Sequence, residues 1–204
     1  FLDFLKHHAR VVVKPARGEQ GRGVSVDIRD EESLIAAVES ARNFCETVIV
    51  ESFAEGDDLR IVVINHEVVA AAIRRPAEVS GDGKATLREL IERQSRRRAR
   101  ATGGESRIPL DRETESTLAS AGYTFDDVLP EGVLLRVRRT ANLHTGGTIH
   151  DVTAELHPTL AEAAVVASRA LDIPVVGLDF MVRAADQPDY VIIEANEGPG
   201  LANY

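Results

Sequence analysis

The stretch "DYVIIEANEGPG", residues 189–200, decides how the rest of the chain is read. A buried-looking strand, Tyr190 to Ile193, runs straight into Glu194, Ala195, Asn196 and Glu197, then into a Gly-Pro-Gly turn. In a strand, residues i and i+2 share a face, so Glu194 and Asn196 point together and Ala195 points away. Two oxygen-bearing side chains aimed at one spot fit a solvated strand exit, or half of a site for a hard cation.

The preceding apolar run, "VVGLDFMV" (175–182), is joined to this strand by the turn-rich "RAADQPD". If the two pair as a hairpin with Val182 opposite Val191, antiparallel register sets Asp179 opposite Glu194. Like charges directly across a sheet are destabilising, so the pair needs a cation, an arginine or a proton. With Asn196 on the same face, the donors are all oxygen, a set suited to Mg²⁺. Two separately solvated carboxylates remain the alternative at this stage.

Further from that hairpin, the chain is a mixed α+β sequence. "VVV" (11–13) and residues 24–28 read as strands around the Gly-rich loop "RGEQGRG" (17–23). A helix starts at Asp30 to Ser33, with early acid suited to the helix dipole and an apolar face at Leu34, Ile35, Val38 and Ala41. "TVIVESF" (47–53) is a strand, and "LRIVVI" and "EVVAAAIRR" read as a hairpin around Asn65-His66. A turn, an amphipathic helix and an arginine cluster fill 80–107, and a short helix spans 111–121. Residues 132–153 give a strand and a polar Gly-Gly loop, and a helix follows at about 158–171.

The bulk numbers exclude several classes. Net charge is −9, from 24 basic and 33 acidic residues, which opposes general affinity for nucleic acid or an anionic membrane. Few aromatics accompany the arginine cluster, so stacking recognition of bases is not expected. No apolar stretch reaches the ~20 residues that span a bilayer. Cys45 is the single cysteine, so no intramolecular disulfide forms and a reducing, cytoplasmic setting is expected. It reads as a packing residue. The chain starts without Met and stops at Tyr204, and reads as part of a longer polypeptide.

Other stretches carry candidate chemistry. Lys14 is one of three lysines in an arginine-rich chain, and it precedes the loop containing Gly18, Gly21 and Gly23, whose backbone N–H groups could approach an anion. That loop lacks the Walker pattern, and a strand follows it, unlike a Rossmann fingerprint. A plain turn explains it equally. Glu51 and Asp58 flank another turn. Arg136, Arg138 and Arg139 precede Asn142 and Thr145-Gly146-Gly147, an arrangement suited to a carboxylate or phosphate. A polar hairpin is the alternative. His144, His150 and His157 match no common zinc spacing.

Together and in this order, "VVVKP…G…GRGV", "VIVE…G.D.R", "GDGKATLRELIE", "TANLHTGGT…DVT…HP" and "GLDFMV…IIEANEGPG" resemble the ATP-grasp superfamily over essentially the whole chain. The branch most similar by motif is that of cyanophycin synthetase and the glutathione-synthesising ligases. The wording "VVVKPARGEQGRGVSVD" is also similar to the N-acetylglutaminylglutamine synthetases. The resemblance implies an α+β ATP-grasp fold, with two α+β lobes gripping ATP between them. Residues 1–52 would form the small lobe with flap and hinge. Residues 53–204 would form the larger lobe, with a lid insertion at about 80–131 and the metal-binding strands.

By the same resemblance, Lys14 would contact the α/β-phosphates under a flap that includes Gly18, Gln20, Gly21 and Gly23. Glu51, Ser52, Phe53 and Ala54 would read adenine, and Asp58 the ribose. Asp179, Glu194 and Asn196 would hold Mg²⁺, with Mn²⁺ as a substitute. Arg60, Arg74 and Arg138 would be catalytic, near the γ-phosphate and the acyl phosphate. Asn142, Thr145, Gly146 and Gly147 would line the substrate. The implied reaction joins a carboxylate to an amine through an acyl phosphate, on small amino-acid or dipeptide substrates. The domain that usually precedes this core in the family, a partner for it, lies outside the sequence, and homo-oligomers are compatible with the reading. The competing expectation is a nucleotide-sensing module of the same fold without catalysis.

Overall fold

The computed structural model describes residues 1–18 and 21–199. The chain divides into two compact units, Phe1–Ala54 and Glu55–Tyr204.

The first unit holds α1 (Leu2–His8), β1 (Val11–Pro15), β2 (Ser25–Ile28), α2 (Glu31–Arg42) and β3 (Val48–Ser52). Its sheet runs β2-β1-β3, antiparallel throughout. Alternation along β1 buries Val11 and Val13 and turns Lys14 to the opposite face. Asp30 caps α2 by accepting from the Ser33 N–H at 2.8 Å, which fixes where that helix begins. Its apolar stripe Leu34, Ala37, Val38 and Ala41 then closes on Val11, Val13 and Ile28. Ile35, expected on that face, is exposed.

The second unit is built on an antiparallel sheet in the order β10-β9-β4-β5-β8. Its strands are β4 (Asp57–Ile64), β5 (Glu67–Arg75), β8 (Thr148–Asp151), β9 (Val175–Val182) and β10 (Tyr190–Glu197). The expected hairpin forms between β4 and β5, and Asn65 and His66 both take positive φ in its turn. One sheet face presents Leu59, Ile61, Ile73, Leu178, Phe180 and Val182 to Leu160 and Ala164 of α5 (Pro158–Leu171). His157 caps that helix, its Nδ1 accepting from the Thr159 N–H. With apolar residues committed to the α5 side, alternation leaves Asp58, Arg60, Arg74 and Asp179 on the other face.

A second cluster of buried apolar residues in this unit belongs to the segment between β5 and β8. It comprises β6 (Glu78–Ser80), α3 (Leu87–Ala101), α4 (Arg112–Ser120) and β7 (Leu134–Arg136). Leu87, Leu90, Ile91, Ile108, Leu118 and Leu129 form its centre. A capping box between Thr86 and Glu89 starts α3.

Two expectations about the C-terminal strand are corrected. Tyr190 to Ile193 look buried in sequence, yet β10 is an edge strand and Val191 is 51% exposed. A run of four apolar residues does not distinguish a central strand from an edge, because pairing on the second side is a long-range event. The register also differs at one end. Val182 pairs with Tyr190, whereas Glu194 does pair with Asp179. An irregularity between Ile192 and Glu194 absorbs the extra residue, so the carboxylates meet although the apolar half is shifted by one.

Candidate functional site

In the first unit, Lys14 Nζ lies 2.8 Å from Glu51 Oε1 across β1 and β3. Both were singled out in sequence, and both side chains remain partly exposed. Gly23 is committed to packing: at φ 73°, its added Cβ would sit 2.6 Å from the Phe44 ring. Gly21 is at positive φ with open space around it, and Gly18 is exposed. Gln20 lies outside the described residues. Beyond Ser52, the N–H of Phe53 donates to the Arg10 carbonyl at 3.0 Å, and the Arg10 guanidinium covers the Phe53 ring at 4.1 Å. Ala54 ends the unit. Arg10 also donates through Nε to Asp27 at 2.6 Å. Burial raises the Asp27 carboxyl, but hydrogen bonds and charge from Arg29 and Arg10 outweigh it and hold the group below its ordinary range.

In the second unit, the polar face of the sheet gathers most of the remaining candidates. One registered row crosses all five strands: Glu194, Asp179, Arg60, Ala72 and Asp151. Arg74 stands opposite Asp58 in the neighbouring row. Asp179 is gripped from two sides. Arg60 donates to both its oxygens, through Nε to Oδ1 and through Nη2 to Oδ2 at 2.8 Å. Arg74 Nη2 is 3.0 Å from the same Oδ2 and 2.6 Å from Asp58 Oδ1. Asn196 Nδ2 approaches Oδ2 at 3.4 Å. Glu194 has no side-chain partner among the described residues.

These groups are largely out of solvent, with side-chain exposures of 14% for Arg60, 18% for Arg74 and 10% for Asp179. Burial pushes the Asp58 carboxyl up, and the like charge of Asp179 adds to it, against the downward pull of Arg74. Burial opposes the charge on Arg74, but Asp179 and Asp58 raise its pKa and keep it protonated. Gly177 makes room for this arrangement. A Cβ there would meet Arg60 Cδ and one terminal nitrogen at 3.2 Å and Pro199 Cβ at 2.9 Å.

The structure does not draw Arg138 into this row. Its guanidinium is buried against the start of α4, donating to Asp111 Oδ1 at 2.8 Å, to Thr114 Oγ1 at 3.0 Å and to Glu113. Burial raises Asp111, but the Thr114 N–H and Arg138 together bring it below its ordinary value.

Asn142, Thr145, Gly146 and Gly147 form a tight turn whose N–H groups bond inward. His144 N–H donates to Asn142 Oδ1 at 2.9 Å, and Gly147 N–H to the Asn142 carbonyl at 2.8 Å. The last turn of α3 and the segment after it hold this turn by its carbonyls. Arg98 donates to Gly147 O at 2.9 Å, Ser106 to Leu143 O at 2.5 Å, and the Arg107 N–H to His144 O at 3.0 Å. Gly147 packs so closely on Arg75 at the end of β5 that a Cβ would lie 2.8 Å from its carbonyl oxygen. The turn therefore leads directly into β8, on the opposite edge of the sheet from Glu194 and Asn196.

Sequence reasoning missed Asp151 and Arg98. The alternation of Ile149 and Asp151 along β8 could have suggested the former. Nothing local marks Arg98 among its neighbouring arginines.

The donor chemistry on the sheet fits a hard divalent cation: two carboxylates, one of them without a partner among the described residues, and an amide oxygen. The two guanidiniums beside them fit phosphate or carboxylate oxygens.

Comparison with known proteins follows the same lines. Residues 6–96 match the family model described as "D-ala D-ala ligase C-terminus". The chain is 40% identical over 198 residues to cyanophycin synthetase of Trichormus variabilis, covering 94% of this chain and 22% of that protein. It is 31% identical over 201 residues to the bifunctional glutathione biosynthesis protein of Mannheimia succiniciproducens, covering 93% and 27% respectively. Among solved structures, a bifunctional glutathione synthetase from Pasteurella multocida superposes with a TM-score of 0.60 at 26% identity, over 98% of this chain and 29% of that one. D-alanine–D-alanine ligase from Bacillus anthracis gives 0.58 at 16% identity, over 99% and 48%, a likeness of fold.

Proposed function

We propose that the chain is the nucleotide-binding core of an ATP-dependent carboxylate–amine ligase of the ATP-grasp kind, a reading supported by the family model over residues 6–96 and by the likeness to cyanophycin and glutathione synthetases. The observation that carries the reading is the row Glu194–Asp179–Arg60, flanked by Arg74 and Asn196 on one sheet face. Such a face neutralises a polyphosphate and a metal together, which is what phosphoryl transfer to a carboxylate requires.

In this reading, Asp179, Glu194 and Asn196 would hold Mg²⁺, with Mn²⁺ as a substitute. When bound, the ion would neutralise phosphate charge and act as a Lewis acid. Arg60 and Arg74 bind the γ-phosphate and the acyl phosphate it becomes, and their low exposure strengthens that interaction. Lys14, held beside Glu51, binds the α/β-phosphates. Glu51 to Ala54 place adenine and Asp58 the ribose. Loop 17–23 and the insertion at about 80–131 exclude water from the acyl phosphate, which would otherwise hydrolyse. The substrate carboxylate attacks the γ-phosphorus and releases ADP. An amine then attacks the acyl carbon and releases phosphate, leaving an amide.

The chain spans 22% of the cyanophycin synthetase it matches, so the acid and the amine are read from wording alone. The stretch "VVVKPARGEQGRGVSVD" favours assembly of N-acetylglutaminylglutamine or its amide from small amino-acid or dipeptide substrates.

Calorimetric titration with ATP, with and without Mg²⁺, tests the core of the reading, beside Glu194→Gln. Mg²⁺-dependent binding that weakens in the variant supports it. A folded sample of the full protein that neither binds nucleotide nor forms ADP with glutamine-containing acceptors overturns it. Binding without ADP formation would favour a sensing module.

A further inference from the structure

We propose that Arg60 and Arg74 make the metal site selective for a metal–polyphosphate complex over the free metal ion, by occupying Asp179 until phosphate takes them over. The inference rests on the ligase reading for the identity of the polyphosphate, but its physical basis lies in the sheet itself.

Four donors converge on one carboxylate. Asp179 Oδ1 accepts from Arg60 Nε, and Oδ2 accepts from Arg60 Nη2 and Arg74 Nη2, with Asn196 Nδ2 at longer range. A carboxylate offers about four lone-pair sites, and these donors use most of them. A cation that coordinates Asp179 through Oδ2 must therefore displace a guanidinium, and one that uses the open lone pair of Oδ1 lies against the Arg60 charge. Asn196 adds a second obstacle, because its amide presents a donor nitrogen to Asp179 while a cation needs its oxygen.

Charge points the same way. Arg60, Arg74, Asp58 and Asp179 form an alternating set with no net charge, held together at low solvent exposure. Glu194 beside Asp179, and Asp151 at the far edge of the sheet, add negative charge to the row. A bare divalent ion entering there meets two guanidiniums whose charge is weakly screened. A displaced guanidinium would lose its partner in a site largely out of water, which is costly. A nucleotide polyphosphate removes both penalties, since it offers the arginines new oxygen partners and brings negative charge with the ion.

The resting position of Arg60 is built into the backbone. Its side chain runs over Gly177, where any Cβ would press on it at 3.2 Å. The glycine belongs to the same face as Asp179, two residues along β9, so the cover over Asp179 depends on that missing side chain.

The test measures Mn²⁺ binding by the loss of free-ion EPR signal, with Mn²⁺ alone and with Mn²⁺ plus ADP. It uses the natural protein, Arg60→Gln, Arg60→Lys and Asp179→Asn combined with Arg60→Gln, each shown to unfold cooperatively. Arg60→Gln is expected to bind Mn²⁺ alone about tenfold more tightly than the natural protein, the worth of one lost charged hydrogen bond. Arg60→Lys, which keeps charge but loses the paired contact, should fall in between. Asp179→Asn combined with Arg60→Gln should abolish the gain. ADP should tighten Mn²⁺ binding far more in the natural protein than in Arg60→Gln.

Unchanged or weaker binding of Mn²⁺ alone by Arg60→Gln overturns the inference. So does a natural protein that binds Mn²⁺ as tightly without ADP as with it. If Arg60→Gln cannot be obtained folded, the Arg60→Lys result decides by the same sign. A tenfold gain with ADP bound by none of the proteins would sink the nucleotide reading and leave the guanidinium cover standing, whereas bound ADP that does not tighten Mn²⁺ binding overturns the inference.

Discussion

Two places in the second unit put a little-exposed arginine against carboxylates, and they come to different ends. At the start of α4, Arg138 is 5% exposed and meets Asp111, Glu113 and the Thr114 hydroxyl, one guanidinium for two carboxylates. On the sheet, Arg60 and Arg74 share Asp179 and Asp58, with the Glu194 carboxylate, which has no side-chain partner among the described residues, beside them in the registered row. The first set is a clamp between a loop and a helix end, and its ligands are all supplied by neighbouring protein. The second has a donor group left over and partners that a ligand can replace. Residue type is the same in both, and saturation does not divide them, since Arg138 keeps a buried Nε without a hydrogen-bond partner among the described residues; what sets the sheet apart is the Glu194 carboxylate registered beside its arginines.

The largest effect on stability should come from breaking the clamp. Arg138→Met removes the charged hydrogen bonds to Asp111 and Glu113 and the one to Thr114, and is expected to lower unfolding free energy by about 3 kcal/mol in urea denaturation. Nucleotide affinity, measured while the protein remains folded, should change little. A variant that stays stable but loses nucleotide would reverse the assignment and move Arg138 to the reacting groups.

Gly177→Ala should follow, with a loss of about 2 kcal/mol from overpacking against Arg60 and Pro199. It should disturb nucleotide binding as well, because the strained neighbour is Arg60. A purely structural glycine would show the stability loss alone.

Asp82 offers an exposed counterpart to the two buried sets. It accepts from the N–H groups of Ala85 at 2.8 Å and Lys84 at 3.1 Å and from Arg93 at 2.8 Å. Backbone hydrogen bonding from Ala85, then Arg93 and Lys84, hold its carboxyl at about 2, against an ordinary 3.8. The folded value is depressed, so its contribution is present above 3.8 and disappears as pH falls toward about 2. Asp82→Ala should therefore unfold earlier than the natural protein at neutral pH, with the gap closing across that acid window in thermal scans. A gap constant with pH would assign the effect to packing.

Glu194→Gln should have the smallest effect on stability, within about 0.5 kcal/mol as for an ordinary surface substitution. Metal-dependent nucleotide binding should nevertheless weaken. A marked stability change would show that Glu194 is saturated after all.

Much of the secondary structure could be read from local pattern. The β4–β5 hairpin followed from two apolar strands around Asn65-His66, α2 from the acid-led start at Asp30, and α5 from the pattern after His157. The facing of Asp179 and Glu194 was also legible, since a short connection forces β9 and β10 to pair and alternation does the rest. The shift between Ile192 and Glu194 was not, because a single extra residue leaves no mark on composition.

The groups that act on Asp179 were harder to see. Arg60 is 119 residues away in sequence, and reaches Asp179 only because β4 lies beside β9. Likewise, Arg138 looked like part of an arginine run facing substrate, until α4 brought Asp111 and Glu113 to it. Exposure of Val191 depends on whether another strand pairs beyond β10, which no local pattern reports.

By itself, then, the amino-acid order determined the strands and helices, the oxygen-rich end of β10 and its confrontation with Asp179, because side-chain period and short connections act over a few residues. Only tertiary structure decided which arginines would neutralise which carboxylates. Those partners come from distant segments, and burial, not sequence proximity, sets the strength of charge pairing.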